Sequence, residues 1–106
     1  MNDVIKNLEA LLVQGQDNAL LRFGLGNAYL QQQDFAQAVQ HFAKAIEFEP
    51  SYSAAWKNYG KALTANQQLQ EAIQVYTQGI AIAEDKGDKQ AAKEMRVFLK
   101  RLQKNS

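Results

Sequence analysis

Apolar residues recur every three or four positions along most of the chain, a spacing that gathers them on one face of an α-helix. The first such segment lies between Val4 and Val13. The same spacing predicts helices over residues 19–31, 53–65 and 88–102, one between Asp34 and Pro50, and one from Leu69 to about Ala83. We therefore predict an all-α chain of six helices.

Residues suited to helix ends stand between these segments. Gly15 can end the first helix, because glycine readily adopts the left-handed conformation common at helix C-termini. Side chains that can accept a hydrogen bond from a helix N-terminus precede the later helices at Asp17 or Asn18, Asp34, Ser51 and Asp88. These residues support the predicted helix boundaries.

Two successive stretches, residues 19–52 and 53–86, carry the same pattern of 34 residues. They pair Gly26 with Gly60, Ala28 with Ala62, Ala38 with Ala72, Phe42 with Tyr76, and Ile46 with Ile80. The N-terminal helix, within residues 2–15, fits the second half of such a repeat. The last helix, over residues 88–104, fits the first half if the connection before it is one residue longer. We therefore predict one domain over residues 1–106, with two full repeats flanked by half repeats.

The period of 34, the small and aromatic residues at fixed places and the closing Pro50 together resemble the tetratricopeptide repeat, in a small bacterial-type protein. The resemblance extends from Val4 to about Leu102. It implies a right-handed superhelical stack of antiparallel helix pairs. The second copy departs from the pattern because Glu84 stands where proline is expected, so we expect a less constrained connection over residues 85–87.

In that family the first helix of each repeat lines a concave groove that binds a peptide or protein partner. The resemblance therefore implies an adaptor that acts by protein–protein interaction. On the predicted helices the groove side carries Leu20, Phe23, Asn27, Leu30, Lys57, Asn58, Lys61, Lys89 and Lys93. We expect this surface to be neutral to basic throughout.

Family members that bind the acidic C-terminal tails of heat-shock chaperones use Lys and Asn from one repeat, Asn from the next, and Lys and Arg from the third. Asn27 and Asn58 fall on the two Asn positions, and the one-residue shift brings Lys89 and Lys93 onto the last pair. Phe23 replaces the first Lys. The resemblance implies a groove for an acidic or carboxylate-terminated segment with one donor fewer. The alternative is that these lysines only solvate their helices.

Charge is distributed unevenly along the chain, which has a net charge of +1. Residues 1–87 hold six Lys or Arg against nine Asp or Glu, and residues 88–106 hold six against two. The basic end suggests an alternative function, weak nucleic-acid binding, through Lys93, Arg96, Lys100, Arg101 and Lys104, although a single aromatic residue lies among them. Apolar residues at both ends, such as Ile5 and Val97, suggest another, self-assembly into a homodimer or larger scaffold.

We expect no enzymatic activity, small-molecule substrate, cofactor or metal. The chain has no cysteine, and the single histidine, His41, has no ligand or acid–base partner one turn away on its helix, so we expect it to face solvent or pack partly. Gly24-Leu25-Gly26 lacks the preceding strand and third glycine of a dinucleotide-binding loop. Trp56 is expected in the core.

The compartment follows only from general features. Absence of cysteine fits a reducing environment. The first residues lack the basic start and apolar run of a signal peptide, and no apolar run is long enough to span a membrane. We expect a cytoplasmic protein with a peptide or protein partner.

Overall fold

The computed structural model describes residues 3–104, over which the chain forms six α-helices and no strand. Their bounds are α1 (Asp3–Val13), α2 (Ala19–Gln31), α3 (Phe35–Phe48), α4 (Ser53–Ala65), α5 (Leu69–Lys86) and α6 (Lys89–Lys104). The predicted all-α chain is confirmed. The first helix was predicted within residues 2–15; α1 ends at Val13, Gly15 follows with a φ of 88°, and residue 2 lies outside the described range.

Alternate helices of the stack lie closer together on one side of the stack than on the other. Within residues 3–104, the backbones of α2 and α4, and those of α4 and α6, approach within 8 Å, whereas those of α1 and α3, and of α3 and α5, do not. Closer approach on one side curves the stack, so α2, α4 and α6 form its concave face. This is the predicted superhelical stack of helix pairs.

Side-chain caps at three of the predicted places begin helices. The side-chain oxygen of Asn18 accepts from the N–H of Leu21 at 2.8 Å, that of Asp34 from Gln37 at 3.4 Å, and that of Asp88 from Ala91 at 3.1 Å. The prediction for Ser51 is wrong. Tyr52 precedes the first residue of α4 and makes no side-chain capping bond, so Ser51 lies one position too early.

The two repeats differ in the length of their second helix. α3 has 14 residues and ends at Phe48, because the residue before Pro50 is driven out of helical conformation. α5 has 18 residues and continues to Lys86, where Gly87 closes it with a φ of 86°. Glu84 therefore lies inside a helix. The predicted loose connection over residues 85–87 is wrong for its first two residues, which are helical.

The longer α5 changes the register of the last helix. α4 begins 34 positions after α2 (53 against 19), whereas α6 begins 36 positions after α4 (89 against 53). The burial of side chains supports the same spacing, because the third residue of each of these helices is buried: Leu21, Ala55 and Ala91. The connection is thus lengthened by two residues rather than the predicted one. One residue rotates a side chain by about 100° around a helix, so this difference decides which residues of α6 face α4.

Glycines bring the paired helices close together. A Cβ atom at Gly26 would lie 2.6 Å from the fully buried ring of Phe42, and one at Gly60 would collide in the same way with Tyr76. The contact between aromatic ring and glycine backbone therefore sets the spacing of the helices within each repeat.

Trp56 lies in the core as predicted, with 8% of its surface exposed, and its indole N–H donates to the Pro50 carbonyl oxygen at 2.8 Å.

A polar cluster connects α1 to the first repeat. No described residue of α1 is fully buried. The Tyr29 hydroxyl donates to Oε2 of Glu9 at 2.6 Å, and Nε2 of His41 lies 4.0 Å from the same oxygen. Nη1 of Arg22 lies 3.1 Å from Nδ1 of His41, while Nε and Nη2 of Arg22 donate to the two oxygens of Asp17 at 2.7 and 2.8 Å. This cluster joins α1, α2, α3 and the loop between the first two.

His41 is more buried than the sequence indicated, with 6% of its surface exposed. Its ring stacks on that of Tyr29 with centroids 5.4 Å apart. Burial first, and the charge of Arg22 second, lower the pKa of His41. The hydrogen bond to Glu9 raises the pKa of Tyr29 to about 12, and the hydrogen bond from Arg22 lowers the pKa of Asp17. The neutral histidine accepts from Arg22 and completes a structural cluster.

Two glycines on α2 should respond in opposite ways to alanine. Gly26→Ala places a methyl group against the Phe42 ring, and such overpacking costs about 1–3 kcal/mol. At Gly24 the nearest atom to the new methyl is Cδ1 of Leu8 at 3.6 Å, an ordinary contact, so Gly24→Ala should gain up to ~1 kcal/mol of helix propensity. Urea unfolding should show a lower free energy for Gly26→Ala and a higher one for Gly24→Ala. Equal shifts would contradict the packing described.

Stability should depend on the protonation of His41. Its pKa is lowered from 6.5 in the folded chain, so its contribution is fully present above that value and is lost as pH falls through the lower folded pKa. His41→Gln keeps an acceptor for Arg22 but does not titrate. Between roughly pH 7 and pH 5, the unfolding free energy of this variant should therefore fall less than that of the parent chain. Parallel pH profiles would show that His41 does not titrate in this way.

Candidate functional site

Polar contacts connect the three helices of the concave face. Nδ2 of Asn58 on α4 donates to Oδ1 of Asn27 on α2 at 2.8 Å. Nζ of Lys57 donates to Oε1 of Glu94 on α6 at 2.7 Å. These contacts place the side chains on two parallel seams, one between α2 and α4 and the other between α4 and α6.

The seam between α2 and α4 carries two of the predicted residues together. The bond between Asn27 and Asn58 uses one N–H of Asn58, so the amide N–H groups of Asn27 and the second N–H of Asn58 can donate to another acceptor. Neither side chain is fully buried. This seam therefore presents neutral hydrogen-bond donors.

The apolar residues predicted on α2 are spread over different surroundings. Phe23 is half-buried, with its ring centroid 4.8 Å from that of Tyr52 and 6.1 Å from that of Phe42. Leu30 packs against the core cluster that contains Phe42. Leu20 is 72% exposed and lines a notch beside α1 instead. Of the three, Leu20 is the one that faces away from the two seams.

The predicted lysines of α6 lie outside the seam with α4. Lys89 and Lys93 are exposed, and none of the hydrogen bonds or ion pairs described for residues 3–104 joins them to α2 or α4. With the connection before α6 lengthened by two residues, Gln90 and Glu94 occupy the repeat positions that were predicted for Lys89 and Lys93. Glu94 is bonded to Lys57 and also accepts from Nε2 of Gln90 at 3.2 Å. The expectation of a surface without negative charge is therefore wrong.

The pair between Lys57 and Glu94 is partly shielded from solvent, with side chains 25% and 37% exposed. Hydrogen bonds from Lys57 and then from Gln90 lower the pKa of Glu94. The carboxylate is thus ionised at neutral pH and neutralises one of the predicted groove cations.

One turn further along the same seam, two cations lie close to an aromatic ring. Nζ of Lys61 lies 5.9 Å and Cζ of Arg101 5.8 Å from the centroid of the Phe98 ring, within the range of cation–π attraction. Beside them opens a pocket of about 300 Å³ whose other lining residues are Thr64, Ala65, Tyr76 and Leu102. This site was not predicted from the sequence. Glu94, Phe98 and Arg101 follow at the spacing of one helix face, but only the correct register shows that this face borders α4.

The other cations of α6 lie outside this pocket, and Lys100 and Lys104 line a separate one of about 260 Å³ with Val97 and Arg101. Arg96 is paired with Glu84 of α5, and Lys100 and Lys104 are exposed. Within residues 3–104, no group of three His, Asp or Glu side chains could hold a metal ion, and none of the helices there is long and apolar enough to cross a membrane. The concave face is where amide donors, cations and an apolar pocket come together.

Such a face can hold an extended chain by complementary contacts. Amide and ammonium or guanidinium N–H groups bind carboxylates, and an open apolar pocket next to them accepts an apolar side chain. The ion pair between these two features adds a negative charge that a bound chain must accommodate.

Comparison with known proteins gives the family. The tetratricopeptide repeat matches residues 5–51 and residues 23–88. A TPR repeat-containing protein of Pseudomonas aeruginosa, PA0015, is 50% identical over 99 residues, which are 93% of this chain and 94% of that protein.

Solved structures agree over nearly the whole chain. The protein BPP2914 from Bordetella parapertussis is 43% identical, with a TM-score of 0.85 over 99% of this chain and 91% of that one. The second TPR domain of human RPAP3, solved in complex with the HSP70 peptide SGPTIEEVD, is 29% identical, with a TM-score of 0.76 over 93% of this chain and 78% of that one. The chain therefore belongs to the tetratricopeptide repeat family.

Proposed function

We propose that this chain, whose fold is that of a protein–protein interaction module, binds an extended peptide on the concave face of α2, α4 and α6. The bound segment carries a carboxylate, and an apolar side chain beside it enters the pocket next to Phe98. The chain acts as a small adaptor through binding alone. The observation that carries this proposal is the pair of cations, Lys61 and Arg101, which lie close to the Phe98 ring and line that pocket.

The charges at this place favour a carboxylate. Within residues 3–104, the described ion pairs engage neither Lys61 nor Arg101, whereas Lys57 is bonded to Glu94. An incoming carboxylate can therefore approach these two cations without displacing a carboxylate of the chain from either of them. Amide donors of Asn27 and Asn58 lie on the neighbouring seam and offer further hydrogen bonds along the peptide.

The human relative supports the chemical class of the ligand. Its peptide, SGPTIEEVD, is acidic towards its C-terminus and ends in an aspartate. We infer a related but weaker mode here, because Phe23 is packed between two rings and supplies no charge, and Lys57 is already paired. We expect a dissociation constant in the micromolar range or weaker, which corresponds to about 8 kcal/mol or less.

A titration with two forms of one peptide tests the proposal. The peptide Ile-Glu-Glu-Val-Asp as free acid should bind more tightly than its C-terminal amide, and added salt should weaken it, since charge pairs near the surface are screened over about 10 Å at 0.1 M. Lys61→Ala combined with Arg101→Ala should weaken binding roughly tenfold, the equivalent of about 1.4 kcal/mol. Isothermal titration calorimetry measures both effects.

The matched control is Lys6→Ala, which removes an exposed cation from α1, away from the concave face. It should bind the peptide as the parent chain does. Equal affinity for acid and amide, or no loss in the double variant, would remove the proposed carboxylate site.

A further inference from the structure

The ion pair between Lys57 and Glu94 lies in the path of any peptide that follows the seam between α4 and α6. Glu94 accepts from Lys57 at 2.7 Å and from Gln90 at 3.2 Å, so the position next to Lys57 is already occupied by a carboxylate of the chain itself. Glu94 stands one turn before Phe98 on α6, and Lys57 stands one turn before Lys61 on α4. The closed pair and the open cations are therefore neighbours along one line.

We propose that Glu94 determines the specificity of the groove, so that the preferred ligand carries a basic side chain close to its carboxylate rather than a wholly acidic tail. This inference rests on the proposed function, because it concerns the same seam. The ligand's carboxylate lies at Lys61 and Arg101, while its basic side chain lies at Glu94. A second acidic residue at that place meets the charge of Glu94 and has to compete with it for Lys57.

The spacing of the two charges in the ligand follows from helix geometry. One helical turn advances about 5.4 Å, and an extended peptide advances about 3.3 Å per residue. The basic side chain should therefore lie about two residues from the carboxylate at Lys61 and Arg101. A terminal apolar residue with its free carboxylate, preceded two positions earlier by lysine, meets both requirements and fills the pocket beside Phe98.

The register of α6 makes this a property of the tertiary structure. If the connection before α6 were longer by one residue instead of two, Lys93 would occupy the position of Glu94. The seam between α4 and α6 would then select acidic residues along its whole length. Lys57 holds the Glu94 side chain over the seam, so Glu94 acts both as an internal competitor for acidic ligands and as a partner for basic ones.

Three peptides that end in a free carboxylate test the proposal: Ala-Lys-Ala-Leu, Ala-Gln-Ala-Leu and Ala-Glu-Ala-Leu, each extended at its N-terminus by the same neutral residues. The parent chain should bind the Lys peptide most tightly and the Glu peptide least, with about a tenfold span, since each partly exposed charge contact changes affinity only severalfold. Glu94→Gln should bring the three affinities together. Glu94→Lys should reverse their order.

Two controls separate this role from a general effect of charge or folding. Lys57→Gln removes the positively charged partner of Glu94, which keeps its hydrogen bond from Gln90, and should widen the preference for the Lys peptide. Glu47→Gln removes an exposed carboxylate from α3, outside the seam, and should leave the order unchanged. Thermal melts of all variants check that each is folded.

The outcomes distinguish this inference from the proposed function. Equal binding of the three peptides to the parent chain, with the free acids still preferred over their amides, would overturn the role of Glu94 and leave the carboxylate site standing. The same preference in Glu94→Gln as in the parent chain would also overturn it. Absence of binding by all three peptides would overturn both proposals.

Discussion

The contact between a glycine of one helix and an aromatic ring of the next is the interaction on which the stack depends. Phe42 lies against the bare backbone of Gly26, and Tyr76 lies against that of Gly60. Glycine costs helix stability, yet any side chain at these places would push the paired helices apart. At the corresponding place on α6 stands Arg96, which pairs with Glu84 and which no later helix within residues 3–104 covers.

The absence of a proline at the end of the second repeat affects which residues lie on the concave face. Pro50 closes the first repeat after a second helix of 14 residues, whereas the second repeat has Glu84 at that place and its helix reaches 18 residues. The added turn delays the start of α6 by two positions. The delay rotates Glu94 into the seam beside Lys57 and turns Lys89 and Lys93 away from it. The length of α5 thus affects the charge of the concave face through the register of a different helix.

The N-terminal side is held together by polar contacts where the second repeat uses packing. Arg22 occupies the place that Trp56 has in the next repeat, and it binds Asp17 and His41 instead of filling a core. The cost of burying the polar atoms of His41 is offset because Arg22 and Tyr29 contact its ring from two directions. Such contacts attach α1 to the stack in the absence of fully buried residues on that helix.

The sequence by itself determined the six helices, the repeat of 34 residues and the core positions of Trp56, Ala38 and Phe42, because helix periodicity and small-to-aromatic contacts are local or repeat at a fixed distance. It also predicted Asn27 and Asn58 on the same groove, and the structure brings them within hydrogen-bonding distance, since both lie within the two regular repeats. Only the tertiary structure decided the surroundings of His41 and the composition of the seam between α4 and α6. Those depend on residues far apart in the chain and on the exact end of α5, where one residue of difference rotates a helix face by about 100°.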